Sequence, residues 1–261
     1  AHALALRACK KVFDPSVPQA VVFDTAFHQT MPPKAYMYGI AYQDYVKYHV
    51  RKYGFHGTSH RFVSMALAKA MNKDIKDLKI VSCHLGNGSM GFTPLDGIIM
   101  GTRCGSIDAS AVTYLEKKLN MGPDEMSNYL NKQCGFLGVS DVSSDNREIY
   151  AAINEGDERA KLTADMLRYE IKKFIGSYAA IMNGLDAVIF TGGIGENSWE
   201  VRGGVCTDMD YLGIKIDHEL NKTVRGTLTK LSTEDSRVDV WVIPTNEELL
   251  IARDTLALIK K

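Results

Sequence analysis

Several things are missing from this chain, and each absence narrows what it can be. It has no net charge, because 31 Lys+Arg balance 31 Asp+Glu. Binding along a phosphate backbone needs a basic surplus, so nucleic acid is a poor partner. No uninterrupted apolar run approaches the roughly 18 residues of a membrane span, so a membrane partner is not expected either. The five cysteines (Cys9, Cys83, Cys104, Cys134, Cys206) are odd in number and contain no C-x-x-C pair. That excludes a neat disulfide framework and a zinc-knuckle spacing, and it favours a reducing compartment. There is no internal repeat, low-complexity tract or compositional linker. The hydrophobic fraction of 45% and charged fraction of 24% are ordinary for globular chains, against disorder and collagen-like repeats. A length of 261 residues suits one large domain or two modest ones.

The chain also lacks an initial Met. It opens AHALALRACKK, as if partway into a helix, and its positive charges follow the apolar stretch. A secretory signal has the reverse order. The expectation is that the natural chain begins upstream.

What is present is an alternation of strands and helices. Pro18–Phe23, Leu78–Cys83, Asp186–Phe190 and Val238–Ile243 read as buried strands. Helices are expected over Ser59–Met71, Asp108–Leu119 and Pro123–Asn131, and after the last strand to Leu258. The clearest helix spans Asp157–Asn183, where Leu162, Met166, Ile171, Phe174, Ile175, Tyr178 and Met182 recur at three- and four-residue steps. Acidic residues open it and Gly184 closes it. The tyrosines between Tyr36 and Tyr53 read as packing aromatics on irregular structure and a short helix. The pattern is α/β, and in such sheets ligands gather outside the carboxyl ends of the strands.

Those strand ends carry the chemistry. His84-Leu85-Gly86-Asn87-Gly88 follows one strand and Thr191-Gly192-Gly193-Ile194-Gly195-Glu196-Asn197 another. Glycines let backbone N–H groups turn toward an anion and approach it closely. Neither string is a P-loop or a G-x-G-x-x-G fingerprint, and each alone is also compatible with a tight turn. Two at strand ends favour phosphate contacts. Asp24 and Glu247 are strand-end carboxylates of the kind Mg²⁺ takes in small number, though a helix cap or salt bridge accounts for either alone. Tyr53 to His60 packs two His, two Gly and two hydroxyl residues together. His56 and His60 have the spacing of a helical metal pair, but Gly57 argues against a helix there and no H-E-x-x-H follows, which disfavours zinc. Thr58 or Ser59 is the expected cap of the next helix. Arg103, between Gly101 and Gly105, can reach a phosphoryl group or serve a loop salt bridge. No base supports Cys104 as a nucleophile.

Six strings in order, VFDTAFHQTM, YGFHGTSH, HLGNG, MGTR-x-G, FTGGIGEN and IPTNEEL, closely resemble the acetate kinases, the acetokinase branch of the sugar kinase/Hsp70/actin superfamily. The likeness runs from about Pro18 to Leu258. It implies a ribonuclease H-like (actin-like ATPase) α/β fold, a mixed sheet flanked by helices, of acetokinase type with the first domain largely absent. The implied organisation is a remnant of the inter-domain region or first domain over 1–25, the nucleotide-binding domain over 26–245, and a C-terminal helix returning toward the first domain over 246–261. The implied activity is reversible Mg²⁺- (or Mn²⁺-) dependent in-line transfer of a phosphoryl group between ATP and acetate, giving ADP and acetyl phosphate, with no phosphorylated protein residue. The resemblance also implies a cytoplasmic homodimer.

Carried over by position, His84, Leu85, Gly86, Asn87 and Gly88 resemble a phosphate loop. Asp145, Asn146 and Arg147 match the segment framing the adenosine, and Gly193, Ile194, Gly195, Glu196 and Asn197 the adenosine motif. Asp24 matches the active-site Asp, and Glu247 the Mg²⁺-linked Glu. His56 and Arg103 match the pair stabilising the transition state. Phe55 and Pro94 match the wall around the acetate methyl group.

The chain departs from the family pattern in two places. An N-terminal domain with its own phosphate loop is missing, and so is a strand and hairpin between Gly88 and the MGFTPL segment. The expectation is a longer natural chain of which these residues are part. Propionate or butyrate kinase of the same family is the near alternative. A catalytically inactive nucleotide-binding or dimerisation fragment is the distant one.

Overall fold

The computed structural model describes residues 2–85 and 91–260. Gly86, Asn87 and Gly88 of the expected phosphate loop lie outside the described residues.

Four strands form one sheet: β1 (Ile80–His84), β2 (Ala187–Thr191), β3 (Thr229–Lys230) and β4 (Asp239–Val242), in the order β1-β2-β4-β3. β1 and β4 each run parallel to β2, and β3 pairs antiparallel with β4. β2 is buried at every position. Its sequence AVIFT is a near-continuous apolar run because both faces are covered, as parallel strands require. The period of two divides those residues between two cores. Val188 and Phe190 join the larger cluster with Leu167, Ile171 and Ile175 of the helix Glu158–Met182. Ala187 and Ile189 face the other way, against Val63 and Leu67 of the helix Gly57–Ala70. His84 aligns with Thr191 in the ladder, so β1 and β2 end at the same level. Everything that follows β1, β2 and β4 is delivered to one edge of the sheet.

Local chemistry sets the helix ends. Asp157 caps the long helix by accepting from the N–H groups of Arg159 and Ala160. The helix stops at Asn183, which takes the left-handed conformation (φ 52°) that short amide side chains tolerate. The opening residues His2–Val12 are helical, as their sequence suggested.

Two expectations need correction. Pro18–Phe23 is not a strand: it pairs with no part of the described sheet, and Val21 and Phe23 are 50% and 66% exposed. Apolar β-prone residues become a strand only where a partner supplies the ladder, and this segment runs instead beside Gly57, Thr58, Ala257 and Leu258. Asp24 therefore sits after an irregular stretch. Gly57, read as a helix breaker, is the first residue of the helix Gly57–Ala70, and His56 occupies the cap position expected for Thr58 or Ser59.

Candidate functional site

The edge of the sheet holds two neighbouring regions. The first is a cluster of imidazoles and carboxylates. His56 takes a left-handed backbone (φ 53°), which turns the chain into the helix that follows. Asp24 holds that turn from outside. Its carboxylate Oδ2 accepts the His56 N–H at 2.7 Å, and its carbonyl accepts the Gly57 N–H at 2.8 Å. The approach is so close that a Cβ on Gly57 would lie 2.3 Å from the Asp24 carbonyl oxygen. Glycine there is a requirement of space.

The His56 ring stacks on His84, with centroids 4.2 Å apart and planes 12° from parallel. His60, one turn along the helix, is tied at Nδ1 to Ser82 Oγ at 2.6 Å. His28 contacts His60 edge-on and bonds through Nε2 to the Phe55 carbonyl at 2.9 Å. Burial, reinforced by the other imidazoles, pushes His60 down to about 3, and burial together with His56 takes His84 to about 4. Both are neutral rings at physiological pH. Glu247 opens the final helix, Glu247–Ile259, capped by Asn246 Oδ1 on the Leu249 N–H. Burial raises the Glu247 carboxyl. His56 opposes that shift, and the negative charges of Asp24 and Glu248 add to it. Asp24, His56, His84 and Glu247, which are scattered through the sequence, thus share one electrostatic neighbourhood.

The expected Mg²⁺ fits part of this donor set. A Glu247 carboxyl raised by burial and by the nearby Asp24 charge is an arrangement a hard divalent cation relieves, and oxygen donors are what Mg²⁺ prefers.

Arg103 is held by a tightly clamped loop. The N–H groups of Cys134, Phe136 and Leu137 donate to the carbonyls of Thr102, Met100 and Gly101 at 2.8–3.1 Å. Glu170 Oε2 accepts the Ile99 N–H at 2.6 Å. The Arg103 guanidinium lies 3.5 Å from the Pro94 carbonyl and 4.0 Å from Met100 Sδ. Phe55 belongs to the adjoining segment, since the Tyr53 N–H donates to the Gly91 carbonyl at 3.0 Å. Arg103 and Pro94 thus come together, with the Phe55 segment alongside. Burial pushes the Cys104 thiol up to about 11, so it stays protonated and is no nucleophile.

The second region is an open cleft of about 880 Å³. A nucleoside-sized ligand fits that volume. Leu85, Asp145, Asn146, Arg147, Gly193, Ile194 and Asn197, all singled out in the sequence, line it. Asp145 caps the helix Asn146–Asn154 through the Arg147 N–H, and the Arg147 guanidinium holds its carboxyl down at about 2. The cleft begins one residue beyond the histidine stack: Leu85 N–H donates to Thr191 O and Ile194 N–H to Leu85 O.

Gly195 and Glu196 differ from their motif neighbours. They do not line the cleft. Gly195 packs against Phe190, and the Glu196 carboxylate accepts the N–H groups of Gly192 (2.9 Å) and Thr245 (3.1 Å). Glu196 fastens the end of β2 to the loop that carries Glu247.

Sequence reading missed Asn154, Ser198, Glu200 and Arg225 on the cleft wall, because no short motif marks them. It also missed Arg202. This fully buried guanidinium donates to Gly195 O, Asn221 Oδ1, Asn221 O and Val224 O at 2.8–3.0 Å. It ties the glycine-rich turn to the segment bearing Arg225. The only sequence hint is a lone Arg inside the apolar, glycine-containing stretch Val201–Cys206.

Comparison with known proteins matches this geometry to one family. The model of the acetokinase family matches residues 1–253. An acetate kinase of Desulfitobacterium hafniense (strain DSM 10664 / DCB-2) is 52% identical over 98% of this chain and 67% of its own length. The crystal structure of Porphyromonas gingivalis acetate kinase superposes with a TM-score of 0.96 at 43% identity, over 99% of this chain and 68% of its own. A propionate kinase from Francisella tularensis subsp. tularensis SCHU S4 gives 0.90 at 41% identity, over 97% and 67%. The chain thus spans about two thirds of the length of these relatives, and the mixed sheet with its flanking helices is the actin-like ATPase fold that the motifs implied. Among the described residues no helix is long and apolar enough to cross a membrane. By sequence motifs, family model and superposition alike, this chain belongs to the acetokinase family.

Proposed function

We propose that this chain carries the phosphoryl-transfer centre of an acetate kinase, a phosphotransferase with a carboxyl group as acceptor. The observation that carries the proposal is adjacency: the Asp24/His56/His84/Glu247 cluster stands at the end of β1, and the next residue, Leu85, lines the cleft. A nucleotide lying along Asn146, Gly193 and Asn197 would then extend its phosphates toward the imidazoles.

The acceptor needs no general base, because a carboxylate is already the anion at neutral pH. A carboxylate oxygen attacks the terminal phosphorus in line while the oxygen bridging it to ADP departs. Charge spreads over the equatorial oxygens in such a transfer. Arg103 supplies positive charge from the side of Pro94. His56, fixed by Asp24, offers its ring to the phosphoryl oxygens. His84 stays neutral and acts as a hydrogen-bonding surface rather than a cation. Glu247 and Asp24 would hold Mg²⁺, whose chemistry is to neutralise phosphate charge. The work of these residues is positioning and preformed electrostatics.

Two further readings belong to the proposal. Residues 26–245 act as the nucleotide-binding domain, with 1–25 and the helix at 246–261 directed to the rest of the natural protein, and the protein works as a homodimer. Propionate is the second acceptor to consider, since the Francisella propionate kinase shares this fold at 41% identity. One methylene shifts discrimination by only about 1–3 kcal/mol, so the pair will differ in degree.

The test is a hydroxamate assay of acyl phosphate formed from MgATP with acetate, propionate or butyrate. Acetate is expected to give the highest kcat/KM. ATP binding with no acyl phosphate from any of the three would overturn the proposal and leave a nucleotide-binding module.

A further inference from the structure

The imidazole–carboxylate cluster holds more nitrogen than a magnesium site requires. One donor atom from each of His56, His84 and Glu247 lies within 4.8 Å of the others. The three come from independent elements: the turn before the helix Gly57–Ala70, the end of β1, and the first residue of the final helix. Each anchor is firm. Asp24 holds His56, the ladder to Thr191 holds His84, and Asn246 caps the helix of Glu247. The Nδ1 atom of His84 is buried with no hydrogen-bond partner among the described residues. No bond from a described residue therefore competes for that ring nitrogen. His60 is excluded from the set, because its Nδ1 is committed to Ser82.

Donor chemistry decides which ion such a set favours. Mg²⁺ selects oxygen and keeps its waters, whereas imidazole suits Zn²⁺ and its neighbours in the first transition row. Two His and one Glu with an open fourth position is a ligand set Zn²⁺ uses repeatedly. Bonds of about 2.0–2.1 Å to a tetrahedral ion put donors roughly 3.4 Å apart, so donors within 4.8 Å need to close by up to about 1.4 Å. The stacked rings of His56 and His84 must tilt out of parallel to do so.

We propose that His56, His84 and Glu247 form a binding site for a borderline divalent transition metal, with Zn²⁺ as the representative ion, and that its occupation displaces Mg²⁺ chemistry from the same centre. The site follows from the donor set alone. Only the inhibitory consequence rests on the phosphoryl-transfer reading. An ion held by His56 and Glu247 withdraws both from the nucleotide phosphates.

Co²⁺ is the spectroscopic probe and needs no turnover. Adding Co²⁺ to the purified protein should produce the visible d–d bands of a low-coordinate nitrogen/oxygen site, and Zn²⁺ should abolish them. Competition against a chromophoric chelator then gives the Zn²⁺ affinity. Glu247→Gln and His84→Gln should each weaken it at least about tenfold. His218→Gln, at an exposed imidazole on another part of the surface, should leave it unchanged. If His84→Gln fails to fold, Glu247→Gln decides alone. Zn²⁺ binding no tighter than Mg²⁺, unchanged binding in Glu247→Gln, or an equal loss in His218→Gln would overturn the site. A protein that binds Zn²⁺ this way yet forms no acyl phosphate would keep the site and refute the enzymatic proposal instead.

Discussion

The imidazole–carboxylate cluster and the neighbouring cleft sit on the same sheet edge, yet they are built in opposite ways. In the cluster every position is over-determined: a left-handed His56, a glycine with no room for a Cβ, and rings stacked at 4.2 Å. The cleft is roomy, its wall is made of helix ends, and a Cβ on Gly193 would meet nothing within 4 Å. The contrast separates two tasks. A group that stabilises developing charge must be fixed before the reaction starts, because reorganisation would consume the benefit. A group that only binds can act equally on substrate and transition state.

The sharpest way to test that division is Arg103→Ala. Loss of kcat by about 10²–10⁵-fold, with a much smaller change in KM, is expected in steady-state kinetics. A fall in kcat below about threefold would remove Arg103 from the transition state.

A pair of glycine substitutions comes next. Gly57→Ala drives a methyl into the Asp24 carbonyl and should cost about 1–3 kcal/mol in denaturant unfolding, with loss of kcat as His56 shifts. Gly193→Ala should stay within about 0.5 kcal/mol of the parent and raise KM for ATP instead. Equal destabilisation by the two would erase the distinction between the regions.

Acidity probes the cluster alone. His60, faced by His28, His56 and His84, keeps a folded pKa of about 3 against an ordinary 6.5. Between those values the unfolded chain binds the extra proton. The stability due to the neutral ring is therefore complete above pH 6.5 and is lost as pH falls toward 3. The slope is at most about 1.4 kcal/mol per pH unit for one group. Thermal melts from pH 7 to 4 should show the decline, and His60→Gln should reduce its slope, leaving the share that belongs to His84. A parent protein whose melting temperature is level over that range would contradict a buried neutral His60.

The smallest effect belongs to the cleft. Arg225→Ala should raise KM for ATP about tenfold, the worth of one charge-assisted contact, with kcat within twofold. A matching fall in kcat would move Arg225 into the transition-state set.

The strings HLGNG, FTGGIGEN and IPTNEEL could be read as strand ends because an apolar run followed by Gly, Asp or Asn is a local signal. The same locality misled at Pro18–Phe23, whose apolar run found no strand partner, and at Gly57, where the left-handed His56 before it lets the helix begin. Glu196 shows the limit within a single motif. Its neighbours Ile194 and Asn197 line the cleft, while its own carboxylate straps β2 to Thr245, and no spacing rule tells these apart.

By itself the sequence determined the family, the α/β alternation, and the strand ends that follow β1, β2 and β4, since each depends on residues within a few positions of one another. Only the tertiary structure decided that Asp24 grips the His56 turn, that His84 stacks beneath it, and that Arg202 binds the cleft from below. Those contacts join residues 19 to 32 positions apart. Their energies depend on burial and distance, which exist only once the chain has folded.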